Sequence, residues 1–330
     1  MITRWAQRWK RQRGVYRPRG EPIRRSEYDV DVVPDDTTAR TFIREHHSMT
    51  SVIDCVWFDP ELREPIVVAY GMGVDSTALL VGLARRGIVP DLILFADTGG
   101  EKPETYAYLP IIQAWLARVS FPPVIVVRRA PISGQNGDYD TLEGNCLVNA
   151  TLPGLAFGRK SCSMKWKVEP QNSHCASWAP AIACWARGRK VQKLIGYDAG
   201  PKDKRRRHIP DDARYRYFYP LDDWGWDRER CEREILAEGL PLPPKSACWF
   251  CPATKPEELV ELRQKHPWIP GRLRAIEMRA APNLRSIAGL WGRPTARRPG
   301  SMTEFLNCLD AGVPWTAPAR ERASAAKCAG

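Results

Sequence analysis

Apolar and polar positions along this chain change period several times between residue 65 and about residue 196. Strand-length apolar segments stand at Ile66–Tyr70, at 92–95, at Val124–Val127 and at Val191–Ile195. Short segments of this kind, bounded by Gly, Pro or Asp, predict buried strands. Between them, 76–86, 103–119 and the region 165–187 carry helix-forming sequence, while 129 to about 147 reads as a loop. Strands alternating with helices predict an α/β fold, a Rossmann-like parallel sheet with helices on both faces, whose ligands bind beyond the carboxyl ends of the strands.

Beyond residue 198 the chain is rich in Pro, Trp and Arg, with helices predicted at 227–238, Pro256–Lys265 and 270–279. Three regions follow. Residues 1–60 form a basic N-terminal extension with no assigned function, 61–255 an α/β nucleotide-binding domain ending in a Cys-x-x-Cys loop, and 256–330 a helical C-terminal region with a disordered tail. With 330 residues, 43% of them hydrophobic, the chain is long enough to bury a substantial core. No apolar run approaches the roughly 20 residues of a membrane span, and Met1-Ile2-Thr3-Arg4-Trp5 does not open a signal peptide. A cytoplasmic protein without a membrane partner is expected.

Charge and cysteine content sharpen this. The ten cysteines, with no secretory signal, point to reduced thiols, metal binding or catalysis rather than a disulfide framework. The net charge of +12 favours an anionic partner. Part of it crowds residues 1–25 and part forms the run Lys202, Lys204, Arg205, Arg206 and Arg207, so nucleic acid is a candidate partner beside a nucleotide. A solvated arm and a substrate-phosphate loop are the alternatives. The sequence does not state the oligomeric state.

Gly71-Met72-Gly73-Val74-Asp75-Ser76-Thr77 lies between the first strand and the first helix. Its glycines allow backbone amides to approach an anion, the helix start adds N–H groups and a positive dipole end, and Ser76 and Thr77 add hydroxyls. That is a phosphate loop. It lacks the Gly-Lys-Ser/Thr ending of a Walker loop. A dinucleotide fingerprint competes through Gly71, Gly73 and a ribose-binding Asp97, but Ser76 stands at its third glycine.

The run resembles the PP-loop of ATP pyrophosphatases, usually Ser-Gly-Gly-x-Asp-Ser, with Gly71 in place of the first serine and Met72 in place of the glycine that follows it. The next strand ends in Ala96-Asp97-Thr98-Gly99-Gly100-Glu101-Lys102-Pro103-Glu104-Thr105, similar to the Asp-Thr-Gly-x-Glu-x-Pro-Glu-Thr run of the phosphoadenosine phosphosulfate (PAPS) reductase-like family. The resemblance implies an adenine nucleotide alpha-hydrolase type of fold. It also implies a nucleotide, ATP or PAPS, with Mg²⁺, held by Gly71, Gly73, Ser76, Thr77, Asp97 and Thr98. Lys160 and Lys165 around Cys162, and Gly196 with Arg205 after the fourth strand, would complete the nucleotide or substrate contacts.

Cys248-Trp249-Phe250-Cys251 offers two thiolates to one metal ion or cluster face, with Cys162 and Cys231 as further candidates. Sulfonucleotide reductases that hold a [4Fe-4S] cluster have a similar distant Cys-x-x-Cys after a Cys-Cys pair, where this chain has Ser161-Cys162. Phage-type relatives resemble the chain more closely, with a segment similar to Gly225-Trp226-Asp227-Arg228-Glu229-Arg230-Cys231 and another similar to 243–252. A [4Fe-4S] cluster is expected on these thiolates, with zinc as the alternative. The remaining cysteines, Cys146 among them, are read as packing residues.

The resemblance implies an enzyme that adenylates a substrate, converting ATP to AMP and pyrophosphate, for sulfur transfer to a nucleic-acid or nucleotide acceptor. Asp75 would orient loop and metal, Ser76 would stabilise the departing pyrophosphate, Asp97 would meet Mg²⁺ or ribose, and Cys162 would be a cluster ligand or reactive thiolate. A true PAPS or adenylyl-sulfate reductase is the first alternative, with Cys328 as its tail thiol. A nucleotide- or nucleic-acid-binding protein without catalysis is the second.

Overall fold

The computed structural model describes residues 63–159, 161–201, 203, 206–207 and 209–315. The basic arm, Lys160, Lys202, Lys204, Arg205 and the tail with Cys328 lie outside the described residues.

The strands are β1 (Ile66–Tyr70), β2 (Leu92–Ala96), β3 (Val124–Val127), β4 (Ile132–Gly134), β5 (Gly137–Tyr139), β6 (Val191–Ile195) and β7 (Tyr215–Phe218). Five of them form one mostly parallel sheet in the order β3-β2-β1-β6-β7, and β4 pairs with β5 as a separate antiparallel hairpin. Successive side chains of a strand face opposite sides, so the burial of every residue in β2 means that both faces are covered there. This is an α/β, Rossmann-like architecture.

The strand order sets the position of the ligand end. From β1 the chain builds outward through β2 to β3, then returns to place β6 on the other side of β1. The point of reversal lies between β1 and β6, and open sheets of this kind bind ligands at the carboxyl ends of the strands there. Their parallel register pairs Val68 with Leu194 and Ala69 with Ile195, which brings the Gly71 loop and Gly196 to the same edge.

Local chemistry moves several boundaries from those read in the sequence. The first helix runs Val74–Arg85, two residues earlier than expected, because extended Gly73 serves as its N-cap. The stretch read as a loop holds β4, β5 and the helix Leu142–Val148, capped by the Thr141 hydroxyl, which accepts the Gly144 N–H at 3.0 Å. The helical region after Cys162 breaks into a π-helical turn, Met164–Val168, and the helices Glu169–Ser177 and Ala179–Ala186, separated by extended Trp178. The strand β7 was not expected; it is a short Tyr-Arg-Tyr-Phe segment that pairs in parallel with β6.

Contacts divide the chain into two compact units. The first comprises the described residues up to Leu94, Pro110–Ile125 and His174–Pro243; the second comprises Phe95–Leu109, Val126–Ser173 and the described residues from Pro244 onward. In the first, helix Val74–Arg85 packs on helix Arg228–Ala237. Gly82 is required there, since a β-carbon would stand 2.1 Å from the Trp224 ring. In the second, Leu142, Trp166, Trp249, Phe250, Leu273 and Met302 belong to one buried cluster. Its buried carboxylate, Glu277, accepts the N–H groups of Leu290, Met302 and Thr303 and the Ser301 hydroxyl at 2.6–2.9 Å, which satisfies the charge and anchors helix Met302–Asp310.

Candidate functional site

In the first unit, the loop after β1 turns through Met72 in the left-handed region, φ +58°, and enters the helix at Val74. This is the position where the PP-loop pattern has glycine, and the backbone shows why: a left-handed side-chain residue costs about 1–2 kcal/mol. The Met72 side chain is fully buried, and burial of that size stabilises by roughly 1.5–3 kcal/mol, enough to offset the strain.

Ser76 closes the turn locally. Its hydroxyl donates to Gly73 O at 3.1 Å and stands 3.3 Å from the Gly73 N–H. The first intrahelical bond comes from Thr77 N to Gly73 O, so the amides of the preceding turn have no intrahelical acceptor. Thr77 is fully buried and its hydroxyl lies 3.0 Å from that of Tyr70, so it joins the core rather than the loop surface. Gly196 abuts the loop: a β-carbon there would come 2.7 Å from Ser76 Cα and 2.9 Å from Asp75 O.

Around the helix start, carboxylate oxygens of Asp75, Asp198 and Asp203 lie within 4.8 Å of one another. Burial raises the Asp75 pKa, Asp198 and Asp203 reinforce the rise, and Arg228, 2.9 Å away, opposes it. Three hard oxygens in this arrangement fit a divalent cation such as Mg²⁺. Arg206 bridges to Asp203 at 2.8 Å and covers the Tyr197 ring at 4.4 Å, and Tyr197 in turn stacks on Tyr219 with centroids 5.9 Å apart. Arg207 binds Asp198 O at 2.9 Å and pairs with Asp222. Cys231 belongs to this unit: its thiol contacts Trp226 O at 3.9 Å, and burial, then Asp75 and Asp198, raise its pKa.

Asp198, Asp203 and Arg228 were absent from the residues singled out in the sequence. Asp198 stands two residues after Gly196 and Arg228 lies inside the Gly-Trp-x-Arg segment, so both stood close to or within motifs already noted; Asp203 carried no signal of its own.

In the second unit, Asp97 at the end of β2 is 2% exposed and saturated. One oxygen accepts Gly99 N–H at 2.8 Å and Tyr106 O–H at 2.7 Å, and the other accepts Arg128 Nε at 2.8 Å. A carboxylate with these donors holds a turn and orients Arg128. Gly99, at φ +71°, is required because a β-carbon would meet Thr141 at 2.2 Å. Thr98 donates to Glu101 Oε1 at 3.2 Å and lies 3.1 Å from Cys248 Sγ.

The Cys-x-x-Cys turn docks on this segment. Glu101 and Cys248 form an antiparallel bridge, Trp249 N–H donates to Gly100 O at 2.9 Å, and Cys251 N–H donates to Cys248 O at 3.0 Å. Lys167, from the π-helical turn, reaches Glu101 Oε1 at 2.9 Å. Its pKa is shifted upward: burial opposes the charge, but Glu101, Cys248 and Cys251 together hold the proton. Burial pushes the Cys248 thiol well up, Glu101 adds to this and Lys167 opposes it; burial likewise raises Cys251, with Cys162 among its electrostatic neighbours. Cys146 is fully buried and pushed up to about 12 by burial, with Glu143 and Cys162 beside it. Cys162, Cys248, Cys251 and Cys146 thus belong to the second unit. Among the described residues no three thiols lie within 4.8 Å of one another. Soft thiolates are donors suited to zinc or iron. The Lys165 side chain is exposed, and its carbonyl accepts Arg129 at 2.8 Å.

No family model matches the chain, and no curated protein matches it. Among solved structures, phosphoadenylyl-sulfate (PAPS) reductase from Candida auris, in a phosphate complex, is similar over 55% of this chain and 75% of its own, at 14% identity and a TM-score of 0.34. The fold is defined by its own sheet order and register. Among the described residues, no helix is long and apolar enough to cross a membrane.

Proposed function

We propose that this protein is a PP-loop, nucleotide-dependent enzyme of the PAPS reductase-like kind, akin to its phage-type members. It adenylates a substrate, turning ATP into AMP and pyrophosphate, and so prepares it for sulfur transfer to a nucleic-acid or nucleotide acceptor. The observation that carries this reading is the junction in the first unit of a helix N-terminus with three carboxylates, Asp75, Asp198 and Asp203, beside Arg228.

In this reading, the amides of the Gly73–Ser76 turn and the Ser76 hydroxyl hold the terminal phosphates, because N–H donors at a helix start meet anionic oxygens without reorganising. Asp75, Asp198 and Asp203 would hold Mg²⁺, which when bound would offset the repulsion between these carboxylates and the phosphates. A substrate oxygen attacks the α-phosphorus, a P–O bond forms, the α–β bridge breaks, and the electron pair leaves on pyrophosphate. Arg228 meets the charge that builds on the leaving group. AMP then departs when a sulfur nucleophile replaces it.

The thiols Cys162, Cys248 and Cys251 belong to the sulfur half of the reading. A [4Fe-4S] cluster would be held by them, and when bound it supplies iron with affinity for sulfide. In this reading, the basic residues of the N-terminal extension and the run Lys202–Arg207, including Arg205, would meet an anionic acceptor.

The test is product analysis with purified protein and candidate acceptors. Formation of AMP and pyrophosphate from ATP, lost in Asp75→Ala, is expected. Sulfite released from PAPS with a thiol reductant would replace this reading by the reductase one, and tight ATP binding without any product would leave a binding protein.

A further inference from the structure

Glu101 is buried to 2% exposure, and its two carboxylate oxygens are used unequally. Oε1 accepts Lys167 at 2.9 Å and Thr98 at 3.2 Å and lies 3.9 Å from Cys248 Sγ, whereas Oε2 is buried without any hydrogen-bond partner. A buried carboxylate oxygen left without a donor is costly, and such atoms mark strain or a missing ion. Beside this carboxylate, on the side of Oε1, stands the Cys-x-x-Cys turn. Cys248 touches Glu101 directly, Cys251 lies within its field, and Cys162 is a neighbour of Cys251.

We propose that Glu101 supplies an oxygen ligand which, with Cys162, Cys248 and Cys251, completes a site for an iron–sulfur cluster. The inference rests on the metal reading of these thiols given above and adds the fourth donor. Lys167 and Thr98 engage Oε1 and leave Oε2 to the metal; Lys167 then acts as the group that orients the ligand. Cys146 is the competing fourth donor, but its charged neighbours are Glu143 and Cys162, whereas Glu101 is the one in contact with the Cys-x-x-Cys turn. The Ser161-Cys162 segment, where relatives carry a Cys-Cys pair, supplies one thiol, and a carboxylate replaces the second.

The experiment uses full-length protein prepared anaerobically. It is reconstituted with ferrous iron and sulfide and, in separate samples, titrated with Zn²⁺ and with Co²⁺. Wild type, Glu101→Gln, Glu101→Asp, Cys146→Ser and Cys248→Ser are compared by metal bound per chain, thiolate charge-transfer absorption and, for the iron samples, reduction potential. The expected result is metal binding by wild type and Cys146→Ser, binding weakened about 10–100-fold in Glu101→Gln, as loss of a supporting donor commonly does, and an intermediate effect in Glu101→Asp. Any iron–sulfur centre retained by Glu101→Gln should have a more positive potential, because a negative ligand has become neutral. Thermal melts without metal check folding: Glu101→Gln, which loses the ion pair with Lys167, should melt below wild type but in one cooperative transition. Wild-type affinity and potential in Glu101→Gln, with loss of metal in Cys146→Ser, would overturn the ligand and assign Cys146. Absence of metal from wild type, or undiminished binding in Cys248→Ser, would overturn the metal reading itself.

Discussion

Gly196 and Ser76 approach so closely that a β-carbon on Gly196 would lie 2.7 Å from the Ser76 α-carbon and 2.9 Å from its amide nitrogen. The parallel register of β1 and β6 delivers Gly196 to this place, and only a residue without a side chain lets the loop after β6 lie against the start of the helix.

Gly196→Ala is therefore expected to push the loop from its position, lowering stability by about 1–3 kcal/mol, as overpacking does, and weakening nucleotide binding. Gly71→Ala is the control: its added methyl would meet Ser76 Oγ at 3.6 Å, an ordinary contact. Thermal melts and calorimetric titration with a non-hydrolysable ATP analogue check the pair. Equal behaviour of the two variants would remove the packing argument.

Met72→Gly sets two effects against each other. It relieves the left-handed strain of about 1–2 kcal/mol, but it empties a fully buried site worth roughly 1.5–3 kcal/mol and loosens the unfolded chain by up to about 1 kcal/mol more. Burial wins, so a denaturant titration should show the variant less stable by about 1 kcal/mol. A gain in stability would mean that the strain is larger than the left-handed geometry implies.

Asp97→Asn tests whether Asp97 is a structural hub. The amide cannot accept from all of Gly99, Tyr106 and Arg128, so the turn after β2 should loosen, with a loss of about 2 kcal/mol in unfolding free energy. Unchanged stability with lost Mg²⁺ or ribose binding would return Asp97 to the ligand role expected from the sequence.

Lys193 predicts a pH dependence. Burial in β6 lowers its pKa to about 8 from 10.5. Between these values the folded state binds fewer protons than the unfolded state, so unfolding free energy should rise as pH increases from about 8 to 10.5. At pH 7 both states are protonated and the full cost, about 3 kcal/mol, is present. Lys193→Met should remove this rise and stabilise the fold at pH 7; parallel curves for the two proteins would contradict it.

The alternation of strand and helix was legible because β1 and β2 are apolar in almost every position and stand between Gly, Pro and Asp. The turn from Gly71 into the helix was legible because its residues are contiguous. What escaped depends on distance along the chain. Arg228 meets Asp75 across 153 residues, and Asp203 joins Asp75 only because β6 returns beside β1. The strand β7 carries Arg216 between two tyrosines and is recognisable only through its pairing with β6. Thr77 reads as one more hydroxyl of the loop until helix geometry turns it toward Tyr70. The two compact units interleave along the chain, a division that depends on tertiary contacts rather than on local composition.

The carboxylates beside the loop give the most direct measurement. Calorimetric titration of ATP into wild type, Asp75→Ala, Ser76→Ala and Asp198→Asn, each with Mg²⁺ and with EDTA, separates the loop from the metal. Wild type should bind ATP, and more tightly with Mg²⁺. Ser76→Ala should lose affinity in both conditions, and Asp75→Ala and Asp198→Asn should lose the Mg²⁺ enhancement while melting within a few degrees of wild type. Mg²⁺-enhanced binding of wild-type strength in both aspartate variants would contradict a nucleotide and metal site at Asp75, Asp198 and Asp203.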